Sequence, residues 1–128
     1  MKHIGFIKEH DQGITNAIPF GKVINSSNPP NDNIKKVISY LNKGIFLAGA
    51  TGSFYNIHTK EPIIDIEYFT DGEWIWPAYF SYYLKKYPNF PIDQDFINYL
   101  SDKNFIFHVS DDLPNLLEQY EEDFLKLW

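Results

Sequence analysis

Asp71-Gly72-Glu73-Trp74-Ile75-Trp76-Pro77 is the stretch that decides the fold, because the clearest strand, turn and helix signals of the chain meet within it. Upstream, Ile63 to Phe69 alternates with a two-residue period, which puts Ile64, Ile66 and Tyr68 on one strand face and Asp65 and Glu67 on the other. Asp71-Gly72 reads as a two-residue turn whose positive φ angles match strand twist, so Trp74-Ile75-Trp76 is expected to return antiparallel beside the first strand. Pro77 ends that return and suits the first position of a helix, with Trp76 as N-cap and Ile75 and Phe80 as a hydrophobic staple. Phe80, Tyr83, Leu84 and Tyr87 then follow at helical spacing on one face.

The 128 residues have the length of a single domain, 1–128, and aromatics at 18% predict a packed core. Cysteine is absent, which excludes disulfides, thiol catalysis and thiolate metal sites. Without a basic-then-apolar N-terminal segment or an apolar run near 20 residues, the expected location is cytoplasmic, away from any membrane. All 11 basic residues are Lys and the net charge is −6. Bidentate guanidinium recognition is therefore missing, and nucleic acid is not an expected partner. The acidity is local. Residues 1–110 carry ten Lys against eleven Asp or Glu, a balance of −1, whereas residues 111–128 carry six acids against Lys126 alone, a balance of −5.

Met1 to Lys8 reads as a short strand, Glu9 to Gly13 as a polar turn, Ile18 to Ile24 as an edge segment and Asn25 to Pro30 as a loop. Asn31 or Asp32 caps a helix with the apolar stripe Ile34, Val37, Ile38 and Leu41, and Gly44 is expected at its left-handed C-cap. Ile45 to Ala48 reads as a buried central strand, Gly49 to Ser53 as a bend or tight turn, and Phe54 to Ile57 as a strand pairing back across it. After the Tyr87 to Pro91 break, Asp93 caps a helix with Phe96, Ile97 and Leu100 on its inner face, and Phe105 to Val109 forms a last strand. Asp111 or Asp112 starts a terminal helix in which Leu113, Leu116, Leu117, Tyr120, Phe124 and Leu127 recur at three and four residues. The fold class that results is α+β, with a mainly antiparallel sheet and about four helices packed on it.

No motif implies a cofactor, a metal or a catalytic residue, so the chain does not read as an enzyme. His3, His10, His58 and His108 are scattered, with no pair at helical metal-binding spacing. Asp65 and Glu67, with Asp71 and Glu73 nearby, have the spacing of an acid and base pair or a hard-cation site, but a solvated sheet face explains the same alternation. Gly49 to Ser53 lacks the Lys of a phosphate loop, and no serine has a nucleophile-elbow setting. Trp74, Trp76, Tyr79, Tyr82 and Tyr83 form the densest aromatic cluster. Its core reading leaves only Tyr79 and Tyr82 at the surface.

Asp71 to Pro77, together with Tyr82-Tyr83, Tyr87, Pro91 and Phe96, resembles a pattern in small bacterial cytosolic immunity proteins, which neutralise a cognate toxin in polymorphic-toxin or contact-dependent inhibition systems. The resemblance covers about a quarter of the chain, Asp71 to Leu100, and its most specific part is the Asp-Gly-x-Trp-x-Trp-Pro run. It implies a non-enzymatic protein that occludes the active or binding surface of a toxin. Because the motif residues are scaffold, the candidate partner-binding residues come from the predicted surface: Asp111, Asp112, Glu118, Glu121, Glu122 and Asp123 on the terminal helix, Asp65 and Glu67 on the strand, and Tyr79 and Tyr82. The acidic terminal helix suits a basic nuclease as the toxin, although general solubility explains its charge as well. The alternative function is a small-molecule or peptide-binding module using the aromatic cluster from Trp74 to Tyr83, and a third reading is a hydrolase using Asp65, Glu67, Asp71 and Glu73.

Overall fold

The computed structural model describes residues 1–127. In chain order the elements are β1 Lys2–His3, α1 Phe20–Ile24, α2 Ile34–Leu41, β2 Ile45–Tyr55, β3 Pro62–Thr70, β4 Trp74–Pro77, α3 Tyr79–Lys86, α4 Gln94–Asp102 and α5 Leu113–Leu125. The strands form one sheet in the order β1-β4-β3-β2. Both hairpin pairings are antiparallel and β1 runs parallel to β4, so the architecture is α+β with a mixed sheet and five helices.

The hairpin centred on Asp71 forms with a longer turn than expected. Thr70 pairs with Ile75. The Asp71 side chain accepts the N–H groups of Glu73 and Trp74, both at 2.9 Å, and Gly72 takes a φ of 101°. A carboxylate that captures two backbone donors stabilises this wider turn in place of a two-residue primed one. Pro77 stays in the ladder opposite Tyr68, and the Ala78 N–H donates to the Glu67 carbonyl at 2.9 Å. The helix therefore begins at Tyr79 with Ala78 as N-cap, two residues after the position Pro77 suggested.

Elsewhere, long-range contacts override local pattern. The first strand stops at His3, and at Gly5 a φ of 80° takes the backbone out of the extended region, close enough to the Phe80 ring that any Cβ would collide with it. The segment predicted as an edge is helical: the Phe20 N–H donates to both Glu9 carboxylate oxygens at 3.0 and 3.1 Å, a cap supplied from eleven residues upstream. Gly44 does not adopt the left-handed conformation expected of it. Its backbone lies under the Trp76 indole, where an added Cβ would stand 2.6 Å from the ring.

The reading of 45–57 as a buried strand, a turn and a return is also corrected. β2 is one continuous edge strand of 11 residues, with Phe46 54% exposed. Between the pairs Gly49 with Glu67 and Ser53 with Asp65, it carries two residues more than β3, so the glycine-rich stretch bulges without reversing. Phe105 to Val109 is no strand either. Asn104 and Phe105 have φ angles of 54° and 58°, and the Phe105 N–H closes α4 on the Leu100 carbonyl at 2.8 Å. The chain then continues outside any ladder, with Phe107 packed against Tyr40 at 5.2 Å.

Both faces of β4 and of the adjoining end of β3 are covered, and the buried apolar residues form one cluster. Tyr68 meets Phe6, Phe54 and, from α5, Phe124, with ring centroids 6.0, 6.1 and 4.8 Å away. On the opposite face Trp76 pairs with Phe69 and packs on Tyr40 of α2, while Trp74 meets Phe96 of α4 at 5.0 Å. Among the described residues no helix is long and apolar enough to cross a membrane.

Candidate functional site

Two aspartates are buried, and each is held by a pair of tyrosine hydroxyls. Asp11, 3% exposed, accepts from Tyr68 and Tyr79, both at 2.6 Å, and the Tyr79 hydroxyl accepts from the Ile7 N–H at 2.9 Å. Asp71, 5% exposed, accepts from Tyr40 and from Tyr99 at 2.7 Å, and the Lys103 ammonium donates to these two hydroxyls at 3.0 and 3.3 Å. Burial pushes the Asp11 carboxyl above its ordinary range, with the Tyr68 and Tyr79 hydrogen bonds opposing it. Burial and the partner aspartates raise all four tyrosines, so each remains a neutral donor. These clamps tie the N-terminal segment to β3 and α3, and the β3–β4 turn to α2 and α4. They satisfy polar groups that would otherwise be costly to bury.

The clamps also decide two readings of the sequence. Asp71 is committed to four hydrogen bonds in the core, so it does not join Asp65, Glu67 and Glu73 in a hydrolytic cleft. Tyr79, expected at the surface, is fully buried, because its hydroxyl is the partner that Asp11 requires. Tyr82 is half-buried; its hydroxyl accepts from Asn56 Nδ2 at 3.0 Å and Lys86 sits 5.9 Å from its ring centroid. Trp76 is 1% exposed and Trp74 3%, so the aromatic cluster is core and does not form an open stacking platform.

His10 borders the first clamp, with Nε2 2.8 Å from the Tyr83 hydroxyl and its ring 4.5 Å from Tyr79. Burial lowers its pKa from 6.5 to about 4 against the opposing charge of Glu9. As pH falls, the unfolded chain therefore takes up this proton before the folded one. The stability linked to neutral His10 is complete above 6.5 and drains away towards about 4. Asp11, shifted upwards, acts in the opposite sense: its folded form binds the proton first, and acidification favours folding. His10→Phe isolates the histidine. Urea denaturation at neutral and acidic pH should show the parent losing more stability than the variant over that window, whereas equal pH slopes would refute a buried neutral His10.

The terminal helix is fastened to the sheet by Phe124, with Leu113 also buried and Leu117, Tyr120 and Asp123 half-buried, which leaves its opposite side facing outward. Glu118, Glu121, Glu122 and Leu125 stand at i, i+3, i+4 and i+7, hence on one side. All four are exposed, Leu125 at 67%. Asp123 is separate from them: it is half-buried on the other flank, accepts from Gln119 Nε2 at 3.1 Å, and borders a hollow with Met1, Lys2, Glu73 and Tyr120. Asp111 and Asp112 are exposed at the helix start. Asp65 and Glu67 alternate with Tyr68 along β3 and so lie on the face opposite α5. The structure thus groups three of the candidate acids with a protruding leucine and scatters the rest. Asp11, Tyr40, Tyr68 and Tyr99 escaped the sequence reading because their partners are 28 to 68 residues away. Comparison of the chain with protein-family models, with curated proteins and with solved structures finds no match.

Proposed function

We propose that this chain is a non-enzymatic immunity protein that binds a cognate bacterial toxin in the cytoplasm and neutralises it by covering its active or binding surface. The observation that carries the reading is the outward side of α5, where Glu118, Glu121 and Glu122 precede the exposed Leu125 on one side of the helix. Helix stability does not call for those acids. Glu121 and Glu122 fall in the later turns, where the helix dipole disfavours anions, at a cost of a few tenths of a kcal/mol each. A cationic partner offsets that cost, because complementary charge across a contact steers the encounter. The resemblance of Asp71 to Leu100 to immunity proteins points the same way, with a basic toxin such as a nuclease as the partner.

Tagged protein recovered from its source cell should bring down a basic partner that arrests growth when expressed alone and is tolerated when this chain is co-expressed. Changing Glu118, Glu121 and Glu122 together to Gln should slow association at low salt and reduce protection, because complementary charge acts chiefly on the encounter rate. Asp123→Asn, on the other flank, should leave both unchanged. Association and protection indifferent to the triple variant would assign the acids to solubility and remove the basis for this reading.

A further inference from the structure

A shallow groove between α2 and α3, about 640 Å³ in volume, has Ile34, Ile38 and Leu84 on its apolar floor and Lys35, Lys43 and Lys85 at its rim. No carboxylate lines it, and none of the three lysines is ion-paired among the described residues. The local balance is the reverse of the chain's net charge of −6. A groove between two helices accepts the ridge of a third, and this one is matched to a helix with an apolar side chain beside several acids. The outward side of α5 has that composition, with Leu125 beside Glu118, Glu121 and Glu122. Residues 118 to 125 number eight, as do those of α2, so the two segments have the same length of about 12 Å.

We propose that the groove between α2 and α3 docks α5 of a second copy of this chain, with Leu125 over Ile34, Ile38 and Leu84 and the three glutamates meeting the three lysines. The two halves of the contact occupy different surfaces of each molecule, so a closed two-fold dimer forms where both contacts are made at once, and otherwise the association runs head-to-tail. It uses the same α5 side as the toxin contact, and self-association therefore withholds that side from a toxin. The proposal does not rest on the toxin reading, since it follows from the groove and its charge.

Sedimentation velocity of the full chain over a range of concentrations at low salt tests it. The parent should show a sedimentation coefficient that rises with concentration. Reversing the groove (Lys35→Glu, Lys43→Glu, Lys85→Glu) or the helix (Glu118→Lys, Glu121→Lys, Glu122→Lys) should hold the protein at the monomer value, and combining all six changes should restore the rise. Leu125→Ser, which alters no charge, should shift the rise to higher concentration. All these positions are exposed, and an unchanged thermal melt confirms that each variant is folded. A parent that stays monomeric, an association that survives either reversal, or a six-fold variant that does not recover would overturn the proposal. The groove variant keeps α5 intact and retains toxin capture in each case, so a failure here is separable from a failure of the immunity reading.

Discussion

Trp76→Ala should lower the stability of this protein by about 3–5 kcal/mol, the cost of replacing a buried aromatic by a methyl group. In a domain whose whole stability is about 5–15 kcal/mol, that corresponds to a fall in Tm of roughly 10–20 °C. The indole is 1% exposed and wedged between Phe69 of β3, Tyr40 of α2 and the backbone of Gly44. None of these can close the gap easily. Phe69 is held by the β3 ladder, and the Tyr40 hydroxyl is fixed to Asp71. Urea denaturation measures the loss directly, and Trp76→Phe, which leaves a smaller void, should fall between parent and alanine. An alanine variant within about 1 kcal/mol of the parent would mean that the site collapses without cost.

The second large effect is expected at Asp71. In Asp71→Ala the hydroxyls of Tyr40 and Tyr99 and the N–H groups of Glu73 and Trp74 lose their acceptor together, and Lys103 loses the carboxylate behind its two tyrosine contacts. Hydrogen bonds to a charged group contribute about 1.5–3 kcal/mol each, but they overlap in one network, so the combined loss is about 3–4 kcal/mol. Asp71→Asn keeps an oxygen for the two backbone donors and should lose about half as much. A double-mutant cycle with Tyr40→Phe separates the clamp from the turn, with an expected coupling of about 1–2 kcal/mol. Faster hydrogen exchange at the Trp74 amide should accompany the loss. A cost under about 1 kcal/mol for Asp71→Ala would show that the turn holds without its acceptor.

The sequence by itself determined the elements whose signals lie within a few residues of one another. The strand from Ile63 to Phe69 and its return at Trp74 to Trp76 are present, as are the helices carrying the stripes of Val37 and Leu41, of Phe96, Ile97 and Leu100, and of Leu113 and Phe124. Asp93 caps its helix as expected, accepting the Asp95 N–H at 2.9 Å. Periodicity and capping are local interactions, and a linear reading captures them. The acids Glu118, Glu121, Glu122 and Asp123 were expected together on this helix, and the structure sets Asp123 apart, half-buried on the other flank.

Only the tertiary structure decided which edge β2 occupies, that β1 pairs in parallel, and that Phe20–Ile24 is a helix capped by Glu9. It also left Phe105 to Val109 outside the sheet, with Phe107 against Tyr40, although its alternation reads as a strand. Tyr79 shows the difference most directly. Its place off the helical stripe of Phe80, Tyr83 and Leu84 predicts exposure, yet Asp11, 68 residues away, draws its hydroxyl into the core. A buried carboxyl must find donors wherever the folded chain brings them, and the energy of leaving it unpaired outweighs the local preference for a solvent-facing tyrosine.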